Sequence, residues 1–431
     1  MTLRVLLVAH GHPELNPGGA EWASYLLFRE LHRTDGVTAH FLAYGGDPAT
    51  EDAVHSRSGA TSFSNFRCRP DETVFSTTKF DRFLFSQPLR DAHEKFSELL
   101  ERINPDVIHF HHYLNVGLEF ITIARRIKPE VRILVTLHEY LAICHHYGLM
   151  VKTQNSVLCE TADAHECAKC FPTIRADDFS RRWLHTKSYF NQVDLFIAPS
   201  EFLRRRYIAW GIPAWQIVVR ENGIEPVRPP PPRARTAGEG HVVFGYFGQI
   251  HPFKGLLELL SAFDHLSSFP TEATKGIRLI IHGAYLELNP PRYIATFKSL
   301  LAKTAARVHY AGPYDHKVQN RLMAEIDWVI VPSIWWENSP LVIQEAFAHR
   351  RPVICSDIGG MAEKVRSGKD GFHFPVGDSF ELAALLVRLA GDVTIWDRLQ
   401  STIRSPMTVS ESASAHLELY RDRSFSFQPA R

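Results

Sequence analysis

The chain has 431 residues but lacks any apolar run of about eighteen residues, the length that a helix needs to cross a membrane. Its net charge is only +1, so it also lacks the strong positive charge typical of a general nucleic-acid-binding protein. No internal repeat stands out, and the one biased tract is rich in proline. We therefore expect neither a spanning helix nor a nucleic-acid partner.

What is present suits a large packed protein. The hydrophobic fraction is 45%, and a chain of this length favours two domains over one. The first apolar run, at 3–9, has no small-residue cleavage site after it, so it predicts a buried strand and not a signal peptide. We therefore expect a cytoplasmic protein whose 6 cysteines are reduced, which favours a metal site over disulfides where they cluster.

The first half alternates short apolar runs with helical patterns. The predicted strands lie at 3–9, 106–110, 132–137, 194–198 and 217–220, with a helix at 20–32. Continuous Val, Ile and Leu runs separated by helices are typical of a parallel sheet that is buried on both faces. This half therefore predicts a doubly wound, Rossmann-like α/β domain.

A proline-rich stretch follows, and then the alternation restarts. Strands are predicted at 242–247, 278–282, 308–311, 328–331, 352–355 and 371–374. The pattern predicts two Rossmann-like domains facing a cleft, with ligands at the carboxyl ends of the strands. The expected divisions are a first domain at 1–222, a linker at 223–240, a second domain at 241–400, and a last helix at 401–422 that returns to the first domain.

The most informative segment opens a helix after the strand at 328–331. Glu337 lies in the loop before the helix, and Glu345 lies about two turns into it. Between them, Asn338, Ser339 and Pro340 are expected to cap the helix, and a helix N-terminus binds anions. A phosphate on these amides, with a carboxylate for hydroxyls on either side, matches the layout of a nucleotide sugar. The alternative is an ordinary strand–loop–helix with surface acids.

This segment resembles the E-x7-E motif of retaining, GT-B-fold glycosyltransferases of family 4 (glycosyl transferases group 1). The resemblance continues along Glu345-Ala346-Phe347-Ala348-His349-Arg350-Arg351-Pro352-Val353-Ile354. It implies that Glu337 holds the hydroxyls of the donor sugar and that Glu345 holds the ribose. Amides around residues 338–341 would hold the diphosphate.

Two further segments resemble donor-binding motifs of the same family. Gly18 and Gly19 lie between the first strand and the first helix, where the family has a G-G-x-E loop that closes over the donor diphosphate. Without the resemblance, they could equally form a plain tight turn. Lys254 matches the lysine of the family's G-R-x-x-x-x-K-G motif and would neutralise the diphosphate, but Gln249 replaces the arginine. One cation is therefore missing, and a charge-assisted hydrogen bond is about twice as strong as a neutral one.

Histidines accumulate where first-domain strands end. His138 lies in Thr136-Leu137-His138-Glu139, which resembles the family's T-x-H-[DE], so the resemblance implies that His138 orients the donor sugar. A structural role is the alternative. We expect the other strand-end histidines to line the cleft: His10, His12, His109, His111 and His112.

Four cysteines cluster after His138, namely Cys144, Cys159, Cys167 and Cys170. The last two form C-x2-C, a spacing that suits a tetrahedral metal. The sequence therefore predicts a structural zinc site that braces a loop insertion at 144–170, with free thiols or disulfides as alternatives. No D-x-D pair occurs, so the resemblance implies no metal and no other cofactor for catalysis.

Two basic runs, at 181–187 and 204–206, have tryptophans nearby. They could be solvated helix faces, or they could contact anionic lipid headgroups or a polyprenyl-phosphate acceptor. The second interpretation would place the protein peripherally at the inner membrane face.

The resemblance implies a retaining transferase without a protein nucleophile. It would move a sugar from a nucleotide sugar of the UDP or GDP type to a glycan, lipid-linked or small-molecule acceptor. Two alternatives stay open: a nucleotide-sugar 2-epimerase, and a degenerate, non-catalytic binding protein that Gln249 would suit.

Overall fold

The computed structural model describes residues 2–46, 61–229, 241–422 and 424. The chain divides into two compact units. The first unit comprises Met1–Glu225 and Met407–Arg431, and the second comprises Pro226–Pro406. Residues 230–240 of the predicted linker lie outside the described residues.

The first unit is built on an eight-stranded sheet in the order β3-β4-β2-β1-β5-β6-β7-β8. Its strands are β1 (Leu3–Ala9), β2 (Val37–Tyr44), β3 (Thr61–Asn65), β4 (Glu72–Thr77), β5 (Val107–Phe110), β6 (Arg132–Thr136), β7 (Leu195–Ala198) and β8 (Ile217–Val219). All neighbouring strands pair in parallel except β3, which pairs antiparallel with β4 at the edge.

Helices connect these strands and cover the sheet. They are α1 (Gly19–Arg33), α2 (Arg90–Ile103), α3 (Glu119–Ile127), α4 (Ala164–Cys170), α5 (Ala176–Phe190) and α6 (Glu201–Trp210). The inner strands are buried along their whole length, as expected for a parallel sheet with helices on both faces. This arrangement leaves the carboxyl ends of β1, β5 and β6 as the edge from which polar loops emerge.

The second unit repeats the design with six parallel strands in the order β11-β10-β9-β12-β13-β14. The strands are β9 (Val242–Gln249), β10 (Ile277–Ala284), β11 (Val308–Gly312), β12 (Trp328–Val331), β13 (Val353–Ser356) and β14 (Gly371–Phe374). The helices are α7 (Leu256–His265), α8 (Thr271–Thr274), α9 (Pro291–Thr304), α10 (Gln319–Ala324), α11 (Leu341–Ala348), α12 (Gly359–Lys364), α13 (Ser379–Gly391) and α14 (Val393–Thr402).

The last helix, α15 (Val409–Arg421), belongs to the first unit. A capping box between Thr408 and Glu411 begins it. Its apolar face shares a core with β1 and α1, and the Tyr420 hydroxyl lies 2.8 Å from His109 Nδ1 on β5. The C-terminal segment is therefore an integral part of the first unit.

The predicted fold class is confirmed, because each unit is a parallel α/β sheet of the Rossmann type. The predicted strands all occur, with bounds within two residues of those observed. The sequence analysis missed β2, β3 and β4, of which β3 is short and polar. Across the described ranges, no helix combines the length and the apolar character that crossing a membrane requires.

Buried histidine makes the first unit sensitive to acid. His416 on α15 is 5% exposed, and burial lowers its pKa from 6.5 to about 4. Between those values the unfolded chain binds a proton at this histidine that the folded chain excludes, so His416 lowers the free energy of unfolding as pH decreases from about 6.5 to about 4, by about 1.4 kcal/mol per pH unit.

We predict that His416→Gln makes the free energy of unfolding less dependent on pH, because glutamine does not titrate. Urea unfolding at pH 7 and pH 5 measures the difference for wild type and variant. His32→Gln, on an exposed part of α1, is the control and should keep the wild-type slope. An unchanged slope in His416→Gln would contradict this account.

Candidate active site

The carboxylate of Glu337 is the centre of the polar cluster in the second unit. It lies in the loop after β12, and its side chain is only 9% exposed. Three donors converge on Oε1: Lys254 Nζ at 2.6 Å, Ser333 Oγ at 2.8 Å and Trp335 Nε1 at 3.0 Å. A buried carboxylate needs such partners to offset its lost hydration, so these contacts fix the orientation of the side chain.

Lys254 reaches Glu337 because two loops approach closely. Gly255 follows Lys254 with a φ of 70°, and a Cβ there would lie 1.8 Å from the carbonyl oxygen of Pro332. The Ile334 N–H also donates to the Phe253 carbonyl at 2.9 Å. Only glycine fits between these backbones, which explains the Lys-Gly pair in physical terms.

A second close approach supports the other side of the Glu337 loop. The Gly360 N–H donates to the Glu337 carbonyl at 2.8 Å. A Cβ on Gly360 would lie 1.5 Å from the Asn338 carbonyl oxygen. The loop that carries Glu337 and Asn338 is therefore fixed by backbone contacts on both sides.

Glu345 lies on α11 beside a different set of residues. Its Oε2 accepts a hydrogen bond from Gln319 Nε2 at 2.8 Å. Burial, followed by the charge of Glu345, raises the pKa of the nearby Tyr314 hydroxyl. The Tyr314 ring packs 5.6 Å from Phe247 and 5.9 Å from His282, which are themselves stacked. Glu345 thus adjoins an aromatic cluster, whereas Glu337 adjoins the lysine.

The N-terminus of α11 differs from the expectation. The helix begins at Leu341, and the residue before it is Pro340, which has no side chain that can cap. Asn338 is buried nearby, and the Ser339 hydroxyl oxygen is buried with no hydrogen-bond partner within the described ranges. The N-cap position is therefore taken by Pro340, which makes no side-chain cap hydrogen bond, whereas capping by Asn338 stays a prediction.

Gln249 ends β9 with an exposed side chain. Its carbonyl accepts a hydrogen bond from the Tyr246 hydroxyl at 2.8 Å, which fixes the backbone where the strand ends. The side chain thus emerges at the same sheet edge as the Lys254 loop, but it brings no charge.

In the first unit, the Gly-Gly segment begins α1. Gly18 is the N-cap residue and Gly19 is the first helical residue. Glu21, in the first turn, pairs with His10 at the end of β1 across 3.0 Å. A Cβ on Gly18 would lie 2.3 Å from Glu21 Oε2, so this carboxylate occupies the place of a side chain at residue 18.

His138 lies at the end of β6, next to histidines from β5. Its Nε2 lies 3.2 Å from His111 Nδ1, and the two rings stack 5.5 Å apart. Burial lowers the pKa of His138 to about 3, so the imidazole is neutral near pH 7. The neighbouring His112 pairs with Glu139 at 2.9 Å, and burial raises the pKa of Glu139 to about 7.

The predicted zinc site at Cys144, Cys159, Cys167 and Cys170 is wrong. Nowhere in the described parts of the chain do three or more His, Cys, Asp or Glu side chains form a group that could hold a metal ion. Cys159 Sγ instead donates to the Thr161 carbonyl at 3.2 Å, and Cys170 Sγ donates to Gln154 Oε1 at 3.7 Å. Burial raises the pKa of Cys144, and that of Cys167 to about 12. C-x2-C spacing alone does not specify this geometry.

The basic runs are partly internal. Arg182 is 4% exposed and donates to the carbonyls of Phe83, Leu141 and Ala142. It therefore braces loops and cannot contact lipid. Trp183 and Trp215 are exposed, at 42% and 60%. Peripheral membrane contact stays a prediction.

Several hydrogen-bond partners of the predicted residues were not predicted from the sequence. Ser333 and Trp335 bind Glu337, and Gln319 binds Glu345. Ser333 and Trp335 lie directly after a predicted strand, which was an available signal. Gln319 gave none, because it is 26 residues from Glu345 in sequence.

Comparison with known families agrees with this geometry. The family described as Glycosyltransferase Family 4 matches residues 17–228, and the family described as Glycosyl transferases group 1 matches residues 241–392. The two matches together cover most of the chain, which therefore belongs to the group 1, family 4 glycosyltransferases.

Individual relatives are distant. The Salmonella typhimurium protein named lipopolysaccharide 1,2-N-acetylglucosaminetransferase is 29% identical over 186 residues, which are 41% of this chain and 48% of that protein. Across the curated relatives, the matched segments span less than half of each protein's length.

Solved structures match over nearly the whole chain. Sucrose-phosphate synthase from Thermosynechococcus elongatus gives a TM-score of 0.67 at 18% identity, covering 97% of this chain and 98% of that one. Anabaena HepE in complex with UDP-glucose gives 0.61 at 17% identity, covering 97% and 100%. These matches show that the chain has the GT-B fold.

We predict that Gly255→Ala destabilises the second unit by about 3 kcal/mol or more, because it adds a clash with the Pro332 carbonyl to the strain of a left-handed residue. Gly377→Ala is the matched control. Its φ is 74°, but no atom lies within 4 Å of its Cβ position, so we expect a cost of about 1 kcal/mol.

Thermal or urea unfolding of the two variants measures the difference. Equal losses of stability in the two variants would show that the approach of the Lys254 and Glu337 loops is not tight.

Proposed function

We propose that this protein is a retaining glycosyltransferase that moves a sugar from a UDP-sugar to a glycan, lipid-linked or small-molecule acceptor. The observation that carries the proposal is the pairing of Lys254 with a buried Glu337, eight positions before Glu345, in the loop that leads into the N-terminus of α11. The Lys254 ammonium group, which can bind a diphosphate, therefore lies beside the segment that carries Glu337 and Glu345. Each of these carboxylates can accept hydrogen bonds from hydroxyl groups.

Lys254 would bind the leaving diphosphate. An ammonium group has three N–H donors, and one of them is used by Glu337. The others can donate to phosphate oxygens, together with the amides at the start of α11, which a helix dipole makes favourable for an anion. Hydrogen-bond donors held in place where negative charge develops in the transition state usually make the largest single contribution to the rate acceleration of an enzyme.

Glu337 would bind the hydroxyls of the transferred sugar. Its three hydrogen bonds with side chains of the described residues all use Oε1, which leaves Oε2 for a substrate hydroxyl. Glu337 is not asked to attack the sugar.

Glu345 would bind the ribose, and the base would lie against Tyr314. Glu345 is held by Gln319 beside the aromatic cluster of Tyr314, Phe247 and His282. Aromatic side chains offer a flat apolar surface for a base, while a carboxylate accepts the two ribose hydroxyls. Lys254 and the N-terminus of α11 would thus bind the diphosphate, Glu345 the ribose and Tyr314 the base. This order matches the order of the three parts in a nucleoside diphosphate.

In the proposed reaction the bond between the anomeric carbon and the diphosphate breaks, and the nucleoside diphosphate leaves. The acceptor hydroxyl attacks from the side of the leaving group, so the anomeric configuration is kept. Its proton passes to the departing phosphate oxygen. This route requires no protein nucleophile, and Lys254 stabilises the charge that develops on the diphosphate.

The donor assignment predicts a specific loss in Glu345→Ala. A panel of UDP-, GDP-, ADP- and TDP-sugars should raise the melting temperature of the wild type only for the true donor, because a ligand of the folded state stabilises it. Loss of a charged hydrogen bond to ribose should weaken that ligand about tenfold or more in Glu345→Ala.

The control is Glu272→Ala, whose side chain is 83% exposed on the same unit and should bind as wild type does. Unchanged donor affinity in Glu345→Ala would place the ribose elsewhere.

A non-catalytic binding protein is the second candidate, and Gln249 is the observation that favours it, because its neutral side chain stands where the resemblance to the G-R-x-x-x-x-K-G motif implies an arginine. Gln249→Arg should then raise turnover, because a second cation at the end of β9 would add a charge-assisted contact to the leaving group. We expect an increase of about tenfold in nucleoside diphosphate release. Gln249→Lys, which restores charge without the planar fork, should give a smaller gain. If neither the wild type nor either variant releases nucleoside diphosphate, the result would favour a non-catalytic binding protein.

A further inference from the structure

Three large apolar side chains of the first unit are exposed beside the end of α6. Trp183 is 42% exposed, Leu184 is 59% exposed and Trp215 is 60% exposed. Single exposed apolar side chains are ordinary on a protein surface, whereas a group of large ones marks an interaction surface. We call these three residues the exposed patch.

Contacts between α5 and the end of α6 bring the members of the exposed patch together. Trp183 Nε1 donates to the Trp210 carbonyl at 3.4 Å, and Trp183 Cζ2 lies 4.0 Å from the Cβ position of Gly211. Trp215 follows Gly211 by four residues, so their Cα atoms lie within about 14 Å of each other. Leu184 is next to Trp183 on α5. The exposed patch is therefore one local surface.

The patch offers mainly hydrocarbon to a partner. The indole N–H of Trp183 already has its acceptor within the protein, so the rest of the ring, which is hydrocarbon, is the part available for contact. The side chain of Leu184 has no polar atom. Moving such surface out of water is favourable, because the hydrophobic effect is roughly proportional to the apolar area removed.

Basic side chains surround the exposed patch. Apart from the buried Arg182, helices α5 and α6 carry five basic and three acidic side chains. The basic set is Arg181, Lys187, Arg204, Arg205 and Arg206, and the acidic set is Asp177, Asp178 and Glu201. Lys187 Nζ lies 5.9 Å from the centroid of the Trp183 ring, so a cation directly adjoins the apolar surface. The excess of positive charge complements an anionic partner.

The arginines of this surface can exchange their partners. Arg181 pairs with Asp178 at 2.9 Å and Arg205 lies 3.9 Å from Glu201, yet the two basic side chains are 65% and 67% exposed. Exposed ion pairs of this kind contribute little free energy. These guanidinium groups can therefore bind phosphate groups instead, with charge-assisted hydrogen bonds.

The protrusion of the patch favours a lipid bilayer as the partner. A protein partner would need a preformed pocket for each protruding side chain, whereas a fluid bilayer accepts such side chains without one. Tryptophan is enriched where a bilayer meets water, because its ring is apolar and its N–H is polar. Anionic headgroups attract basic side chains at the same depth.

We propose that the exposed patch docks the first unit on an anionic lipid bilayer. Leu184 and the two indole rings enter the boundary between the headgroups and the acyl chains, while Lys187 and the arginines of α5 and α6 bind the lipid phosphates. Docking is separate from the transferase reaction, because it involves none of the residues proposed to bind the donor.

The test is sedimentation of the full chain with vesicles of phosphatidylcholine, with and without phosphatidylglycerol. Wild type should sediment with the anionic vesicles and far less with phosphatidylcholine alone. The bound fraction should fall as salt rises from about 0.05 M to about 0.5 M, because salt screens exposed charges. Leu184→Ser and Trp215→Ser should each weaken binding about tenfold, since one apolar side chain fewer leaves water. Arg205→Glu should also weaken binding about tenfold, because repulsion replaces attraction.

Two exposed residues away from the patch provide matched controls. Leu288→Ser removes an apolar side chain that is 76% exposed on the second unit, and Arg90→Glu reverses the charge of a side chain that is 91% exposed on α2. Both variants should bind vesicles as wild type does. All five substitutions are at exposed positions, so we expect every variant to fold, which thermal unfolding checks.

Two results would overturn the proposal: no sedimentation of wild type with anionic vesicles, or wild-type binding by both Leu184→Ser and Trp215→Ser. Sedimentation velocity without vesicles identifies the other occupant that the patch could have. A wild-type dimer that Trp215→Ser converts to a monomer, without any vesicle binding, would assign the patch to a second copy of the chain.

Discussion

The candidate donor site depends on one close approach, that of Gly255 to the carbonyl oxygen of Pro332. It lets the loop after β9 lie against the loop after β12, so that Lys254 meets a buried Glu337. A buried ion pair is a weak source of stability, because desolvation of both charges offsets their attraction. The role of the Lys254–Glu337 pair is therefore geometric, because it fixes a cation and a carboxylate beside the start of α11.

The first unit uses a different principle. Its histidines and carboxylates lie where β1, β5 and β6 end, and burial lowers the pKa of His111, His112 and His138, which keeps these imidazoles neutral. Neutral imidazoles orient carboxylates through single hydrogen bonds without cancelling their charge. His112 does this for Glu139, and the same burial makes His416 a source of acid sensitivity in α15.

The sequence allowed the fold class and the main candidates to be predicted, because both depend on local patterns. Continuous apolar runs marked the parallel strands, and motif spacing marked Lys254, Glu337 and Glu345. The partners of those residues could not be predicted, since Gln319 meets Glu345 only through tertiary packing. The edge strand β3 was missed because it is short and polar, and the zinc prediction failed because C-x2-C spacing does not specify where side chains point.

The most direct test of the donor site is a crystal structure of the protein with UDP. The account predicts that a β-phosphate oxygen lies within hydrogen-bond distance of Lys254 Nζ, that the ribose hydroxyls contact Glu345, and that the uracil lies against Tyr314. UDP bound away from Lys254 and Glu345 would contradict it.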